Sequence, residues 1–449
     1  MLDRRTWLAG AALATWQATH GLGVAAPASR RPRVAAVYTE LRFRSHAFNI
    51  LENFFQPYLF RGELVDPGVD VVSLYADQFP TDDMTREVSQ RLNIPLYKSI
   101  DEALCVGGKE LAVDAVLIVG EHGEYPYNDI GQHLYPRKQF FDQALAVMKR
   151  SDRYVPIFND KHLSYRWDWA KEMYDTARKH GIPMLAGSSV PLAERRPNWD
   201  VPLGTEIAEA VVVHGGGLES YDFHAFDLLQ SFVERRKGGE TGVAKIEMLK
   251  GKALEAAGDA GRWSRELFQA AMQAERDMDV ERQHRPPLSI RTNAIKGLDD
   301  KAKVGHGILV TYRDGLKATV LTVGGSSSRW NLALRYKNQS EPQATAMFNG
   351  PWGNRCLFKA LSHAIQRLFI DRAEPYPLER TLLSTGMTEA AVQSHAQEKV
   401  LETPQLAIAY QPREWSSFRE NGASWQRLTA AIAQPEKFDP GDEKLIPKK

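Results

Sequence analysis

A polar turn directly after the first apolar run, "RVAAVY", carries side chains that could hold a phosphate. The turn "TELRFRSH" supplies Thr39, Arg42, Arg44 and Ser45. Guanidinium groups can bind a pyrophosphate through forked hydrogen bonds, and the helix that follows offers backbone N–H groups and a positive dipole. The turn has no glycine to let the backbone approach a phosphate, so its side chains could equally fill the space that phosphates need. Both outcomes stay open.

Further polar residues follow other apolar runs of the same half. Asp77 comes after "VDVVSLYA", where an acidic side chain could accept hydrogen bonds from both hydroxyls of a ribose; a solvated loop is the alternative. Glu121 and His122 open "EHGEYPYN", and Lys161 lies in "NDKHLSY". A lysine at a helix start faces the positive end of the helix dipole, and this unfavourable position favours a functional role for Lys161.

Alternating short apolar runs and amphipathic helices predict the element order that positions these residues. Runs of this kind, with little polar alternation, are typical of strands buried on both faces of a parallel sheet. We therefore predict a Rossmann-like, doubly wound α/β domain over residues 33–195. Ser99 and Glu102 fit a capping box, and Ser164 is predicted to cap a helix that ends before Gly181. The six predicted strands are "RVAAVYT", "VDVVSLYAD", "IPLYK", "VDAVLIVG", "YVPIFND" and "IPMLAGSS".

The texture changes after the Pro-rich stretch "GSSVPLAERRPNWDVPLG". Longer runs that alternate polar with apolar residues predict an open, mainly antiparallel sheet with one face covered by helices. We assign residues 205–435 to an α+β substrate and oligomerisation domain, with a hairpin turn at 313–315 and loops around Arg355 and Arg380. The runs are "VAKIEMLKG", "HGILVTYRDG", "LKATVLTVGG" and "NLALRYKN", and the helices are "DFHAFDLLQSFVERR", "WSRELFQAAMQAERDM" and "RCLFKALSHAIQRLF".

The order "VDAVLIVGEHGEYP", helix, "YVPIFNDKHLS", helix, "GIPMLAGSS" resembles the amino-terminal half of the Gfo/Idh/MocA oxidoreductases. The resemblance implies hydride transfer between NAD or NADP and a hydroxyl of a carbohydrate or cyclitol. It implies that Lys161 lies near the reacting carbon and that His122 or Tyr125, with Glu121, lies in the loop beside the nicotinamide. The chain departs from that family in lacking the Gly-x-Gly-x-x-Gly turn.

The second half of the resemblance lies in "GGGLESYDFHAFDLLQSF". The family carries an Asp-x-x-x-His pair here, and His224 matches its histidine, while Ser220 stands in the place of the aspartate. Glu219 and Asp222 are the neighbouring carboxylates, and either could orient the imidazole of His224; Asp222 is carried into the predicted catalytic set. A histidine suits the transfer of the hydroxyl proton, and a lysine stabilises the developing alkoxide, so the catalytic set is predicted as Lys161, His224 and Asp222.

In a second hypothesis, the protein has the same carbohydrate-binding cleft between its two domains but binds no cofactor. If side chains fill the first turn, the protein binds a carbohydrate or carries out non-redox sugar chemistry. The stretch "HGGG" at His214 is similar to an esterase oxyanion loop, but the chain has no Gly-x-Ser-x-Gly nucleophile elbow. No metal site is predicted, because the spacing of the histidines and carboxylates selects none over chance.

The composition and the N-terminal residues limit which partners and which cellular compartment we expect for this protein. The formal net charge is +1, which gives no electrostatic reason to expect nucleic acid or an anionic membrane as partner. Two cysteines, Cys105 and Cys356, exclude a four-thiolate metal site. Arg4 and Arg5 precede an apolar stretch and small residues, so residues 1–28 are predicted to be a twin-arginine-type signal. We expect a periplasmic or extracellular protein without a membrane anchor after cleavage, and the family resemblance implies a homo-oligomer.

Overall fold

Residues 30–283, 304–324, 326, 328–438 and 441–446 are described by the computed structural model. The predicted signal over residues 1–28 lies outside these ranges and stays a prediction. The described residues from Pro32 onward form one compact unit, and the boundaries of the two predicted domains stay a prediction within it. No helix in the described ranges is both long and apolar enough to cross a bilayer.

The N-terminal half is built around a five-stranded parallel sheet, as predicted. Its elements are β1 (Arg33–Tyr38), α1 (His46–Phe55), β2 (Tyr58–Phe60), β3 (Glu63–Val65), β4 (Asp70–Ala76), α2 (Thr85–Leu92), α3 (Ile100–Cys105), β5 (Ala115–Val119), α4 (Arg137–Arg150), β6 (Ile157–Asp160), α5 (Trp167–Lys179) and β7 (Met184–Gly187). The strand order is β4-β1-β5-β6-β7. The direction of winding reverses between β1 and β5, where Tyr38 pairs with Val119. This switch point is where open α/β sheets bind their ligands.

Two local predictions in this half are wrong. "IPLYK" is not a strand, because Leu96 alone forms a bridge, to Leu74 of β4. Ser164 does not cap α5, which begins at Trp167 with Arg166 as its N-cap. The capping of α3 is confirmed, since the Ser99 side chain accepts a hydrogen bond from the Glu102 N–H.

The C-terminal half contains an eight-stranded sheet that is mainly antiparallel, as predicted. Its elements are β8 (Glu194–Arg196), β9 (Ile207–His214), α6 (Ser220–Val233), β10 (Val243–Lys250), α7 (Gly251–Asp259), α8 (Arg265–Gln283), β11 (Val304–Tyr312), β12 (Lys317–Val323), β13 (Trp330–Tyr336), β14 (Gln343–Phe348), α9 (Asn354–Asp371), α10 (Leu378–Gln397), β15 (Leu401–Glu402) and α11 (Asp442–Leu445). The order is β15-β10-β11-β12-β9-β13-β14-β8, and only the pair β9 and β12 runs parallel among these strands.

Helices cover both faces of this sheet at its centre, not one face as predicted. Alternate residues of β9 pack on opposite sides: Val212 lies in the same core as α6, and Val211 lies in the core formed with α8. Helix α9 was expected to cover this sheet but packs against α1, where Asn53 donates a hydrogen bond to Ser362. Arg355 and Arg380 lie in helices α9 and α10 and not in loops.

Candidate functional site

A polar cavity of about 350 Å³ opens at the carboxyl ends of the parallel strands. The loops after β1, β5, β6 and β7 contribute to it, together with the amino ends of α6 and α9. Its lining combines ionisable side chains with aromatic rings: Arg44, His46, Glu121, His122, His133, Arg137, Lys161, His162, Glu219 and His224, with Tyr127, Tyr135, Tyr221, Trp330 and Phe358. Its size and position are those of a small-molecule site.

Strained backbone is concentrated around this cavity. Four of its lining residues have a positive φ without being glycine: Arg44 (68°), His122 (72°), Lys161 (62°) and Glu219 (66°). Such conformations cost free energy and persist where the surrounding structure holds them in place for a function. The fold therefore maintains four unfavourable backbone conformations around this cavity at a cost in stability.

A buried ionic cluster lies at the centre of the cavity. Lys161 Nζ lies 2.8 Å from Glu121 Oε1, and Arg137 binds the other oxygen of the same carboxylate. Burial alone would raise the pKa of Glu121, but the two cations hold this pKa well below its usual value. Glu121 is therefore ionised at neutral pH, and the three side chains together carry one net positive charge facing the cavity.

Glu219 is a second carboxyl group with the opposite character. Its Oε2 accepts a hydrogen bond of 3.0 Å from the backbone N–H of His133, the side chain faces the backbone N–H of Asp222 in a capping box, and its buried Oε1 makes no hydrogen bond to the described residues. Burial raises the pKa of Glu219 to about 7. A carboxyl group that titrates near neutrality and has a free oxygen is suited to give or take a proton.

His224 lines the cavity, but it does not contact Asp222, the carboxylate of the predicted catalytic set. Its Nδ1 lies 2.6 Å from Ser188 Oγ, so a serine and not Asp222 orients the ring. Burial, followed by the positive charge of Lys161, holds the pKa of His224 well below its usual value, and the imidazole is neutral at pH 7. Asp222 lies outside the cavity lining and contacts His214 and His306 instead.

Two further histidines present buried nitrogens without a partner in the described part of the chain. These are Nε2 of His122 and Nδ1 of His162. Burial, with a smaller effect of the neighbouring His46, lowers the pKa of His122 to about 4. Buried polar atoms are almost always hydrogen-bonded, so unpartnered atoms around one cavity indicate a polar ligand.

The predicted cofactor-binding residues separate into two groups. Arg44, Glu121 and His122 line the cavity. Thr39, Arg42, Ser45 and Asp77 do not line it, and each bonds to protein instead. Thr39 Oγ1 donates to the Glu121 carbonyl (2.6 Å), Arg42 donates to Glu40 (2.6 Å), Ser45 caps α1, and Asp77 accepts from the hydroxyls of Tyr75 (2.9 Å) and Tyr125 (2.6 Å).

The groove in which a dinucleotide would lie is bridged by the loop after β5. This loop crosses the end of β1 and reaches β4, since Gln78 and Glu124 exchange two hydrogen bonds of 3.0 and 2.8 Å. Glu40, only 2% exposed, adds a carboxylate at the turn where a pyrophosphate would need positive charge. The residues at this groove therefore do not fit a whole dinucleotide as the loops are arranged.

Sequence reasoning missed several residues of the site. Arg137, His46 and His133 line the cavity, but Arg137 and His46 stand at the starts of α4 and α1, and His133 lies in a loop that carries no motif. Each is brought in by a contact distant in sequence, such as that of His46 Nδ1 with Asp160 (2.6 Å). The strand order of a doubly wound sheet could have indicated these residues, because this order brings the ends of β1, β5 and β6 together.

Comparison with known proteins supports the fold. No family model and no curated protein matches the chain. The solved structures include GenD2 from gentamicin A biosynthesis in complex with NAD, with a TM-score of 0.51 and 12% identity over 83% of this chain and 96% of that one. They also include scyllo-inositol dehydrogenase from Lactobacillus casei with bound NAD(H) and scyllo-inositol (TM-score 0.47, 9% identity, covering 83% and 99%). The chain has the fold of GenD2, which confirms the predicted α/β architecture at the level of fold.

Proposed function

We propose that this protein is a cofactor-independent acid–base enzyme that transfers a proton at a carbon next to the carbonyl group of a carbohydrate. The observation that carries the proposal is Glu219, a carboxyl group with an unpartnered oxygen and a pKa near 7. It lines the same cavity as the cation Lys161 and the neutral base His224. This set can move protons at neutral pH without a redox partner.

The cavity chemistry favours a carbohydrate or a similar polyol as the ligand class. Ionisable and amide groups supply hydrogen bonds to hydroxyls, and the rings of Tyr127, Tyr221 and Trp330 offer flat apolar faces. Tyr221 and Trp330 are stacked with centroids 5.4 Å apart. A volume of about 350 Å³ suits a small sugar rather than a polymer.

The proposed step balances without an oxidant. Ionised Glu219 takes the proton from the carbon next to the carbonyl, the electron pair of that C–H bond forms a C=C bond to the carbonyl carbon, and the π pair of the carbonyl moves to its oxygen. Lys161 donates a hydrogen bond to this oxygen and stabilises its negative charge. Delivery of a solvent-derived proton to the same face of that carbon completes an exchange, and delivery to the opposite face completes an epimerisation, with His224 available to move the proton on a neighbouring oxygen.

The alternative is NAD(P)-dependent oxidation of a carbohydrate hydroxyl. It is favoured by the fold of GenD2 and by the presence of both Lys161 and His224 in one cavity. It requires the loop after β5 to release Asp77 and Thr39, so that the groove opens for a dinucleotide.

Proton exchange with solvent distinguishes the two functions. The full chain is incubated in D₂O with a panel of ketohexoses and ketopyranosides, and deuterium incorporation is followed by NMR. We expect incorporation that Glu219→Gln and Lys161→Met each reduce at least 100-fold. Glu389→Gln is the matched control, because Glu389 is a carboxyl group with a raised pKa that lies outside the cavity lining. Oxidation of sugars with added NAD(P), without exchange, would instead establish the alternative, and neither activity would contradict both.

We further propose that the protein acts outside the cytoplasm, on the basis of Arg4, Arg5 and the apolar stretch that follows them. Fractionation of cells that express the wild-type chain and Arg4→Lys/Arg5→Lys tests this. Retention of both chains in the cytoplasm would contradict it.

A further inference from the structure

A cluster of four polar side chains lies behind the cavity wall and has no part in the proposed reaction. His214 ends β9, Asp222 lies in the first turn of α6, His306 belongs to β11 and Thr322 to β12. All four are buried, with exposures between 0 and 7%. The two imidazoles, the carboxylate and the hydroxyl thus come from two pairs of consecutive elements, β9 with α6 and β11 with β12, and converge at one point.

The contacts within this cluster form a closed ring. Nε2 of His214 and Nε2 of His306 each lie 2.8 Å from the same oxygen of Asp222, Oδ1. The same two nitrogens each lie 2.9 Å from Oγ1 of Thr322. Four close contacts therefore join two nitrogens to two oxygens.

Hydrogen bonds can account for only half of this ring. Each Nε2 atom has a single site in the plane of its imidazole, which holds either a proton or a lone pair. It therefore makes one undivided hydrogen bond, and the two nitrogens together satisfy two of the four contacts. A cation at the centre of the ring satisfies all four, because it accepts one lone pair from each atom.

We propose that His214, Asp222, His306 and Thr322 bind one divalent transition-metal ion. Two imidazoles and a carboxylate are ligands that such ions prefer. Neighbouring ligands at right angles, with metal–ligand bonds of about 2.0–2.1 Å, stand about 2.8–3.0 Å apart. The measured separations of 2.8 and 2.9 Å match this spacing, whereas a tetrahedral site requires about 3.3 Å. The spacing therefore favours Mn²⁺, Fe²⁺ or Co²⁺ over tetrahedral Zn²⁺.

The groups around the cluster fix the orientation of the ligands. The ring of His214 lies nearly parallel to that of Trp330, at 6.0 Å between centroids and an angle of 13°. The second oxygen of Asp222 accepts the N–H of Glu219 at 3.1 Å. When His214 binds the ion through Nε2, its proton lies on Nδ1. The Gly216 N–H, which lies 3.3 Å from Nδ1, can then no longer donate to this nitrogen, and the contact opens. Through Asp222, the ion would hold the strained residue Glu219 at the cavity, which makes this a structural and positioning site.

Metal titration of the full chain tests the proposal. After dialysis against a chelator, the protein is titrated with Mn²⁺, Fe²⁺ (under argon), Co²⁺ and Zn²⁺ by calorimetry, and bound Co²⁺ is also followed by its visible absorption. We expect one equivalent of ion to bind and to raise the melting temperature. His306→Gln should weaken binding at least 100-fold. Thr322→Val, which keeps the branched shape of the side chain, should weaken binding less. This variant keeps the test valid if His306→Gln fails to fold.

Two control variants locate the bound ion. His363→Gln changes a histidine that bonds to Tyr58 and should leave the titration unchanged. His122→Gln changes a histidine of the cavity and should also leave it unchanged. The proposal is wrong if none of the four ions binds, if His306→Gln and Thr322→Val leave binding intact, or if His122→Gln abolishes it. Because this readout is metal binding, its failure would leave the proposed proton transfer untouched.

Discussion

Glu219 makes the chemistry of the cavity dependent on pH. Its carboxyl group titrates at about 7 because it is buried, and the proposed step needs its ionised form. We expect the rate of solvent deuterium exchange to rise with pH through about 7 and to level off above it. A rate that falls over the same range would mean that Glu219 acts as an acid in the limiting step. Initial rates between pH 5 and 9 by NMR distinguish these outcomes.

The same group changes the stability of the fold with pH. A carboxyl pKa that is raised on folding stabilises the folded state fully below the ordinary value of 4.5, and this stabilisation is lost as the pH rises to about 7. At 1.36 kcal/mol per pKa unit, the loss is about 3 kcal/mol. Measured by urea unfolding, the unfolding free energy of the wild-type chain should fall between pH 4.5 and pH 8. In Glu219→Gln this fall should be smaller by up to about 3 kcal/mol. Glu63→Gln, on the exposed strand β3, is the control; an equal fall in both variants would contradict the assignment.

At the residue scale, the sequence predicted some of the site. Lys161 and His224 were predicted and lie in one cavity, because the ends of parallel strands meet at one edge of a sheet. Their catalytic roles stay predictions. Asp222 was placed in the predicted catalytic set with His224, but it faces two other histidines. Nothing in the spacing of the carboxylates shows which of them turns toward the cavity, since that depends on the positive φ of Glu219.

At the element scale, helix α10 holds α6 in place through a buried ion pair. Arg380 of α10 binds Glu234, the residue that follows α6, and both side chains are fully buried. Arg380→Met leaves Glu234 as an uncompensated buried charge and should lower the unfolding free energy by about 3–5 kcal/mol. Lys171→Met breaks the exposed pair with Asp175 and should cost less than about 1 kcal/mol. Urea unfolding measures both changes, and equal losses would contradict the distinction.

Helix α10 also shows why the sequence hides some elements. The stretch "LERTLLSTGMTEAAVQSHAQ" reads as polar, so its core-facing side cannot be recognised by hydrophobic period. Ser384, Thr385 and Thr388 are nevertheless buried, and each hydroxyl donates to the carbonyl four residues earlier in the helix. This bonding gives each hydroxyl an acceptor within its own helix. The longer strands that alternate polar with apolar residues, such as β10 and β11, were predicted correctly because their pattern is simple.

At the scale of the whole molecule, the open question is whether the dinucleotide groove can form. Periodicity predicted the two sheets, but the bridge between Thr39 and the Glu121 carbonyl joins residues 82 positions apart and leaves no trace in local pattern. We expect NAD, NADH, NADP and NADPH at millimolar concentration to leave the melting temperature unchanged, with a known NAD-dependent dehydrogenase as the positive control. A ligand present at 100 times its dissociation constant stabilises a protein by about 2.7 kcal/mol, a shift of several degrees. Such a shift, lost in Asp77→Asn, would show that the loop after β5 opens and that the fold still binds its cofactor. An unchanged melting temperature would contradict the NAD(P)-dependent alternative and would leave the cofactor-independent proposal to the deuterium-exchange test.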